Sequence, residues 1–388
     1  MAQAAQKVQV NGPDVKSEIR RTLSLVQYDG TAGVKSVDVP RDSVFKRFQV
    51  RMNLSFIVTY ASGSPISSPD GVMNKILPRI DIVANGQDTI KSVEPYFMRM
   101  QGFLLSTQMP ERAYSTSASA FTTALAQTES LYGQPFAYPA TTQYVLVNES
   151  IYIYMECPWA YGAGRESTMW NTKRLSTAEM RFTFSDATAV QRAESSAVSV
   201  AYTSVSGSFE IMTVEAQHVD ANMQFNYFKE TTRAIQFSSE TRDFAIELNR
   251  GAFLTGLHFL VRNGDANKSL SDIAIKNLRL LLNGTRILQN VNSLAALQQE
   301  NRQRYGVYAP KGTASAGITH SLQGYGFMNL LLNGELGTSL DTRLENGVSQ
   351  LFLQATSAAS SGTDAATYTN PVELRILTQE IVSSSVKV

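Results

Sequence analysis

The residues best suited to acid–base, nucleophilic or metal chemistry are few in this chain and lie far apart in sequence. Histidine occurs only at His218, His258 and His320, and no pair has the spacing of a metal-binding motif such as HExxH. We interpret each histidine as a packing or surface residue. The single cysteine, Cys157, can form neither an intrachain disulfide nor a multi-cysteine metal site, and its expected role is that of a small half-buried residue.

The carboxylates and glycines do not add a catalytic pattern. Asp81, Glu94 and Glu149 are scattered, so no pair of them can be assigned as general acid and general base. The glycines at Gly162 and Gly164 are not followed by the Lys-Ser or Lys-Thr of a phosphate-binding loop. The sequence therefore predicts no catalytic, metal-binding or cofactor-binding residue, and we expect the protein not to be an enzyme.

Composition limits the possible partners and the compartment. The 388 residues include 34 Lys and Arg against 33 Asp and Glu, whereas a dedicated nucleic-acid binder usually has a basic excess. No specific nucleic-acid binding is expected. No stretch reaches the roughly 18 apolar residues of a membrane span. The opening MAQAAQKVQV lacks the apolar core of a signal peptide, so we expect synthesis and folding in a cytoplasm.

A segment of the sequence is repeated. KILPRIDIVANG, from Lys75 to Gly86, resembles IAIKNLRLLLNG, from Ile273 to Gly284, and each runs from an apolar stretch into Asn-Gly. The preceding sequences match as well, because VDVPRDSVFKRFQV from Val37 resembles IELNRGAFLTGLHF from Ile246. The period is about half the chain, which indicates a tandem duplication of one β domain.

The two Asn-Gly pairs are the clearest turn signals. Asn85-Gly86 and Asn283-Gly284 both favour a type I′ hairpin, because both central residues of that turn need a positive φ. We expect each pair to join the fourth and fifth strands of its half as antiparallel neighbours.

Alternation of apolar and polar residues predicts the strands, most clearly from Phe48 to Tyr60. Each half contains eight strand candidates. In the first half they are Ile19–Tyr28, Ser36–Val39, Phe48–Tyr60, Lys75–Ala84, Asp88–Lys91, Gln143–Met155, Ala178–Phe184 and Ser208–Gln217. In the second half they are Arg233–Ser238, Asp243–Leu248, Ala252–Val261, Ile273–Leu282, Arg286–Gln289, Gly326–Leu332, Val348–Ala355 and Val372–Val382.

One helix is predicted after the fifth strand of each half. In the first half, apolar residues from Val93 to Leu104 fall on one helical face; in the second, Asn290 or Asn292 is the expected N-cap. Long polar loops are expected after each helix and before each last strand. These loops are Thr107–Thr142, Gly306–Tyr325, Ser185–Gly207 and Thr356–Pro371.

These patterns predict an all-β protein of two tandem eight-stranded jelly-roll β-sandwiches, each with one short helix. The expected divisions are an N-terminal arm at residues 1–15, a first sandwich at 16–219, a linker at 220–230 and a second sandwich at 231–388. The arm region carries the basic residues Lys7, Lys16, Arg20 and Arg21. It is either a frayed terminus or an arm that touches a neighbouring subunit or an anionic surface.

Two eight-stranded modules in tandem, each with a helix after the fifth strand and a long loop after that helix, resemble the double jelly-roll major capsid proteins. These proteins belong to tailless icosahedral viruses, including membrane-containing bacteriophages. The resemblance extends over about Lys16 to Val382. It depends on the architecture and on the repeated turns at Asn85, Gly86, Asn283 and Gly284.

The resemblance implies a structural subunit of a virion, made in the host cytoplasm. Three chains would form a homotrimer of six sandwiches, a pseudo-hexagonal tile of an icosahedral capsid. The loops after the helices would rise on the outer face. The arm with Lys7, Lys16, Arg20 and Arg21 would be the inner-surface segment facing an internal lipid membrane. Further implied partners are penton and minor capsid proteins; no cofactor is implied.

Two other classes of function were weighed. The first alternative is a β-sandwich spike or adhesion protein that binds a receptor or carbohydrate, and such a protein would be expected to expose aromatic platforms or a calcium-binding Asp/Asn cluster. The second is an enzyme on a double β-barrel, which needs two or three histidines and a glutamate around a metal. The separation of His218, His258 and His320 disfavours that enzyme.

Overall fold

A computed structural model of the protein consists mainly of β-strands. It describes residues 17–62, 72–107, 112–121, 127–128, 142–190, 198–217, 225–265, 268–307, 322–362 and 364–382. The predicted arm, with Lys7 and Lys16, lies outside these residues, as do His218 and His320.

The first half contributes eleven strands and three α-helices. The strands are β1 (Ser17–Tyr28), β2 (Gly33–Asp38), β3 (Val44–Ser62), β4 (Arg79–Ala84), β5 (Asp88–Val93), β6 (Arg112–Ser117), β7 (Gln127–Thr128), β8 (Thr142–Tyr154), β9 (Trp170–Asn171), β10 (Ala178–Phe184) and β11 (Val198–Gln217). The helices are α1 (Val72–Ile76), α2 (Pro95–Ser106) and α3 (Gly162–Glu166).

The second half contributes nine strands and one α-helix. The strands are β12 (Tyr227–Phe237), β13 (Phe244–Glu247), β14 (Phe253–Arg262), β15 (Ile275–Leu282), β16 (Arg286–Ser293), β17 (Tyr325–Asn329), β18 (Leu340–Asp341), β19 (Leu351–Ser357) and β20 (Val372–Val382). The helix is α4 (Leu294–Tyr305).

Both halves have the strand order of a jelly roll. In the first, sheet β1-β11-β3-β8 faces sheet β2-β10-β4-β5, and Phe182 of one sheet lies 6.5 Å from Phe209 of the other between ring centroids. In the second, β12-β20-β14-β17 faces β13-β19-β15-β16 around Leu257, Leu280 and Leu353. We name these two sandwiches the first roll and the second roll.

The sixteen predicted strands and both predicted helices are confirmed. Strand β3 shows why periodicity predicts them: Phe48, Val50 and Met52 are buried in the core, while Gln49 and Arg51 point to the other side of the sheet and are half-buried. The all-β double jelly-roll fold follows from the same alternation in both halves.

Several boundaries differ from the sequence-based expectations. Lys75 belongs to helix α1 and not to a strand. The N-cap of α4 is Ser293, whose hydroxyl accepts a hydrogen bond from the Ala296 amide at 3.2 Å, and not Asn290 or Asn292. Strand β12 begins at Tyr227, within the segment assigned to the linker 220–230, of which residues 220–224 lie outside the described residues.

Two segments expected to be loop contain strands. Residues 198–207 form the first part of β11 and pair with the C-terminal part of β3, from Leu54 to Ser62. The alternation that begins at Val198 is interrupted by a register shift between Thr203 and Ser206, where Ser204 has a φ of 53°. Strand β6, within the expected loop 107–142, pairs with β8 and extends the sheet.

The Asn-Gly turns lie at one end of each roll, which we call the turn end. Asn85 and Gly86 have φ values of 52° and 75°, and Asn283 and Gly284 have values of 52° and 72°. The Asn85 side-chain oxygen accepts the Ser176 amide at 2.9 Å, and that of Asn283 accepts the Ser349 amide at 2.8 Å. The corner that joins the fourth, fifth and seventh strands is thus built in the same way in both rolls.

The opposite end, which we call the loop end, receives the long connections. There the Ala187 amide donates to Gly30 at 2.9 Å, and the Ser185 amide donates to Ile76 at 2.9 Å. Strand β8, which follows the segment 108–141, begins at this end opposite Thr59. The first described residue of β1 and the last of β20 lie at the turn end, opposite the end at which β8 begins.

The corner can be tested at Asn85. Asn85→Gly keeps the positive φ and removes only the side-chain hydrogen bonds, so we expect a loss of about 1 kcal/mol of unfolding free energy. Asn85→Ala also strains the backbone and should cost about 1–2 kcal/mol more. Urea unfolding of the purified variants measures both values. The same order is expected for Asn283→Gly and Asn283→Ala; equal stability of all four variants with the parent chain would contradict this account.

Candidate functional site at the junction of the two rolls

The two rolls share one sheet. Strand β5 of the first roll pairs in parallel with β12 of the second, through Lys91 opposite Glu230 and Ser92 opposite Thr231. The pairing makes a continuous sheet in the order β17-β14-β20-β12-β5-β4-β10-β2. Because the pairing is parallel, equivalent ends of the two rolls point in the same direction. We call this contact the junction.

A buried ion pair lies at the centre of the junction. The Lys91 ammonium is 2.8 Å from a Glu230 carboxylate oxygen, and both side chains are 0% exposed. The ammonium also lies 3.8 Å from the centroid of the Phe228 ring. Burial lowers the pKa of Lys91, and the Glu230 carboxylate opposes that shift.

Two further side chains complete a buried hydrogen-bonded chain across the junction. The other Glu230 oxygen accepts the Gln379 amide at 2.7 Å. The Gln379 carbonyl oxygen in turn accepts the Trp159 indole N–H at 2.8 Å. This series of hydrogen bonds begins and ends in the first roll and passes through β12 and β20 of the second. Each donor in this series faces an acceptor, and this pairing offsets the free-energy cost of burying the polar groups.

A second ion pair crosses the junction with the opposite polarity. Glu94, at the N-terminus of α2 in the first roll, accepts a hydrogen bond from Arg375 on β20 of the second, and Arg375 also donates to Glu373. Burial raises the pKa of Glu94, and Arg375 opposes the shift. The first roll therefore contributes a cation at Lys91 and an anion at Glu94, which fixes the register of the two rolls.

Helix α2 seals the apolar part of the junction. It is buried from Pro95 to Leu104, and its Phe97 ring lies 6.5 Å from His258 on β14. Trp159 stacks obliquely on Phe327 at 4.4 Å. Strand β14 is consequently buried on both faces, one toward the core of the second roll and one toward the first roll. Such contacts resemble a domain core more than a surface contact.

His258 is a packing residue in this apolar layer. Its Nδ1 lies 2.6 Å from the Tyr325 hydroxyl, and its ring stacks on Phe327 at 4.0 Å. Burial lowers its pKa to about 3, so the ring is neutral at physiological pH. Cys157 is also buried, and burial raises the pKa of its thiol to about 12, which makes it unreactive.

The structure places the described members of the predicted basic set on β1. Arg20 is exposed, while Arg21 donates to Glu215 at 3.0 Å. Ser43 and Thr213 donate to the same carboxylate at 2.7 and 2.6 Å. Burial alone would raise the pKa of Glu215, but these hydrogen bonds outweigh it, so the pKa is lowered. Arg21 therefore has a structural partner within its own roll.

Sequence reasoning missed the residues of the junction. Glu230 falls in the predicted linker, and Lys91 falls at the end of a predicted strand. The available signal was a charged residue between the apolar residues Ile90 and Val93 in a short strand. That pattern alone does not identify the partner, because the ion pair joins residues far apart in sequence.

The described residues hold no group of three or more His, Cys, Asp or Glu side chains that could bind a metal ion. Within the same residues, every helix is too short or too polar to cross a membrane. The junction joins the two rolls in one orientation through strand pairing, buried ion pairs and apolar packing.

Comparison with known proteins identifies the fold. No protein-family model matches the sequence, and no curated protein is significantly similar to it. Solved structures match at low identity. The major capsid protein of STIV has 13% identity and a TM-score of 0.57, covering 95% of this chain and 97% of its own. That of bacteriophage PM2 has 11% identity and a TM-score of 0.51, covering 95% and 99%.

The Faustovirus major capsid protein is also similar, with 8% identity, a TM-score of 0.54 and coverage of 99% and 93%. The matches extend over almost the whole length of both chains in each case. This chain therefore has the double jelly-roll fold of those major capsid proteins, as its repeats predict.

The ion pair of the junction can be tested by a double-mutant cycle. Lys91→Met leaves the Glu230 carboxylate buried without its cation, and we expect it to lower the unfolding free energy by about 3–5 kcal/mol. Lys91→Met combined with Glu230→Gln removes both charges and should recover much of the loss. Urea unfolding measures the cycle, with Lys46→Met at the partly exposed Lys46–Glu18 pair as a control expected to cost about 1 kcal/mol or less. An additive cycle would show that the two charges are not coupled.

Glu215 predicts a pH dependence of stability. Because its pKa is lowered in the folded state, its contribution is present above the unfolded value of 4.5 and is lost as the pH falls below it. Glu215→Gln should therefore be less stable than the parent at about pH 7, with the difference shrinking below pH 4.5. Unfolding free energies measured across that range give the comparison. A difference that does not change with pH would refute the assignment.

Proposed function

We propose that this chain is a major capsid protein that forms pseudo-hexagonal homotrimers, and that these trimers tile the shell of an icosahedral virion. The observation that carries the proposal is the junction, where β5 and β12 join two jelly rolls side by side and in parallel within one chain. A hexagonal tile made of three chains requires two similar sandwiches per chain that stand the same way up.

The ends of the rolls are arranged as a shell requires. The long connections leave at the loop end, and both termini leave at the turn end. In a shell, the loop end would face outward and the turn end inward. This orientation would bring the arm to the inner surface, where Lys7 and Lys16 could meet anionic lipid headgroups of an internal membrane. Arg21 would contribute less, since it is bound to Glu215.

The solved structures with this fold support the capsid role, since those matched here are named as major capsid proteins. A virion location and assembly with further copies of the same chain follow from the proposal. Synthesis in the host cytoplasm and contacts with penton and minor capsid proteins belong to it as well. It assigns the protein no enzymatic activity, because the buried charges of the junction, Lys91 with Glu230 and Glu94 with Arg375, are paired with one another and are closed to a substrate.

The alternative, a spike or adhesion protein that binds a receptor or carbohydrate, has less support. Such a protein would not need two rolls locked by buried ion pairs and an apolar layer. Helix α2 is buried from Pro95 to Leu104 at the junction, and this apolar contact favours a rigid two-roll unit.

Light scattering of the purified chain tests the proposal. A capsid subunit should have three times the 42.6 kDa of one chain, and electron microscopy of concentrated samples should show hexagonal particles or larger shells. A monomer at all concentrations that also binds a sugar array would support the alternative and refute the capsid role. Glycan-array binding by a stable trimer would leave the capsid assignment in place only if hexagonal particles form.

A further inference from the structure

The edges at β16 and β1 are two of the unpaired strand edges in the described part of the chain. Strand β16 pairs only with β15 at one edge of the second roll, and β1 pairs only with β11 at one edge of the first. Both edges expose apolar side chains, with Ile287 55% and Leu25 54% exposed. Unprotected edges of this kind favour pairing with another strand.

The edge at β16 is the counterpart of β5. Each strand follows an Asn-Gly turn, and each hairpin has its register shift at the same place, between Ile82 and Val83 in the first roll and between Leu280 and Leu281 in the second. Counting from the turns, Gln289 occupies the position of Lys91 and Asn290 that of Ser92. Lys91 is buried at the junction, whereas Gln289 is exposed.

The edge at β1 is the counterpart of β12. Arg21 lies opposite Thr213, as Thr231 lies opposite Thr378. The next residues toward the turn end are Arg20 in the first roll and Glu230 in the second. Arg20 is exposed where Glu230 is buried. Each molecule therefore contains one junction, between β5 and β12, and two free edges, at β16 and β1, that are equivalent to the strands of that junction.

We propose that the junction is repeated between molecules: β16 of one chain pairs in parallel with β1 of the next, with Gln289 opposite Arg20 and Asn290 opposite Arg21. This inference rests on the proposed function and deepens it by naming the surfaces of the trimer. The contact is heterologous, since different surfaces meet, and it closes into a ring if each step turns by the same angle. Three molecules would close a ring of six rolls.

The chemistry of the free edges suits a contact made after folding. An amide faces a guanidinium where the internal junction has an ammonium and a carboxylate. Helix α4 differs from α2 in the same sense, because Ala296 and Arg304, the third and eleventh residues of α4, stand where α2 has Phe97 and Leu105. Polar groups at both edges keep the free chain in solution and can still pair across an interface.

Disulfide trapping tests the register. In parallel pairing the Cα atoms of opposite residues lie about 5 Å apart, within the range of a disulfide. The chain with Arg20→Cys and Gln289→Cys should, on mild oxidation, give a covalent trimer on a non-reducing gel. The native Cys157 is buried and serves as an internal control. Each single variant alone should stay monomeric on the gel, and an equimolar mixture of the two should give cross-linked dimers.

A register control uses Arg20→Cys with Arg286→Cys, which moves one thiol about 10 Å along the strand and should abolish trapping. Covalent dimers from either single variant would indicate a two-fold contact and overturn the proposal. A trimer by light scattering without trapping of the Arg20/Gln289 pair would overturn the edge pairing and leave the capsid function standing. A chain that is monomeric by light scattering in all these variants and in the parent would overturn both.

A charge exchange gives an independent readout without oxidation. Arg20→Glu with Gln289→Lys copies the internal pair, and this double variant should keep the trimer on dilution. Arg20→Glu with Gln289→Glu places like charges opposite each other and should shift the trimer toward monomer at low salt. Equal dissociation of the two double variants on dilution would contradict the proposed register.

Discussion

The parallel pairing of β5 with β12 is the contact on which the rest of the architecture depends. It converts two sandwiches into one body with a continuous central sheet, and it sets both rolls the same way up. Only two residue pairs form its ladder, so backbone hydrogen bonds alone would hold it weakly. The Lys91–Glu230 pair, the Glu94–Arg375 pair and the apolar layer under α2 make the contact unique in register.

Buried ion pairs are a costly way to gain stability, because each charge loses its water. At this junction, the charges favour one register of β12 along β5 over the others. Sliding β12 along β5 by one residue would separate Lys91 from Glu230 and leave both in an apolar layer beside Phe228 and Trp159. An apolar contact of similar area would tolerate such a shift with less penalty. The ion pairs thus explain how the two sandwiches are held in a single orientation.

Local patterns were enough to predict the fold within each half. The alternation from Phe48 to Tyr60 and the Asn-Gly turns depend only on neighbouring residues, so the sequence carries them directly. The first part of β11 is not predicted because the register shift between Thr203 and Ser206, with Ser204 at a positive φ, breaks the alternation of the strand. The junction could not be predicted, since Lys91 and Glu230 are distant in sequence and each looks like an ordinary surface charge. The basic set was read by composition alone, which does not distinguish the exposed Arg20 from the paired Arg21.

The two halves have diverged most where their surroundings differ. The corners at Asn85 and Asn283 keep the same hydrogen bonds, because each serves its own roll. By contrast, α2 is apolar and α4 is largely polar, although they follow equivalent strands. A helix that is covered by its own chain can be apolar. A helix that is exposed in the free chain needs polar residues, even if another molecule covers it after assembly. The same argument applies to Lys91 and Gln289: a charge is acceptable where its partner is always present, and an amide costs less to bury where the partner comes later.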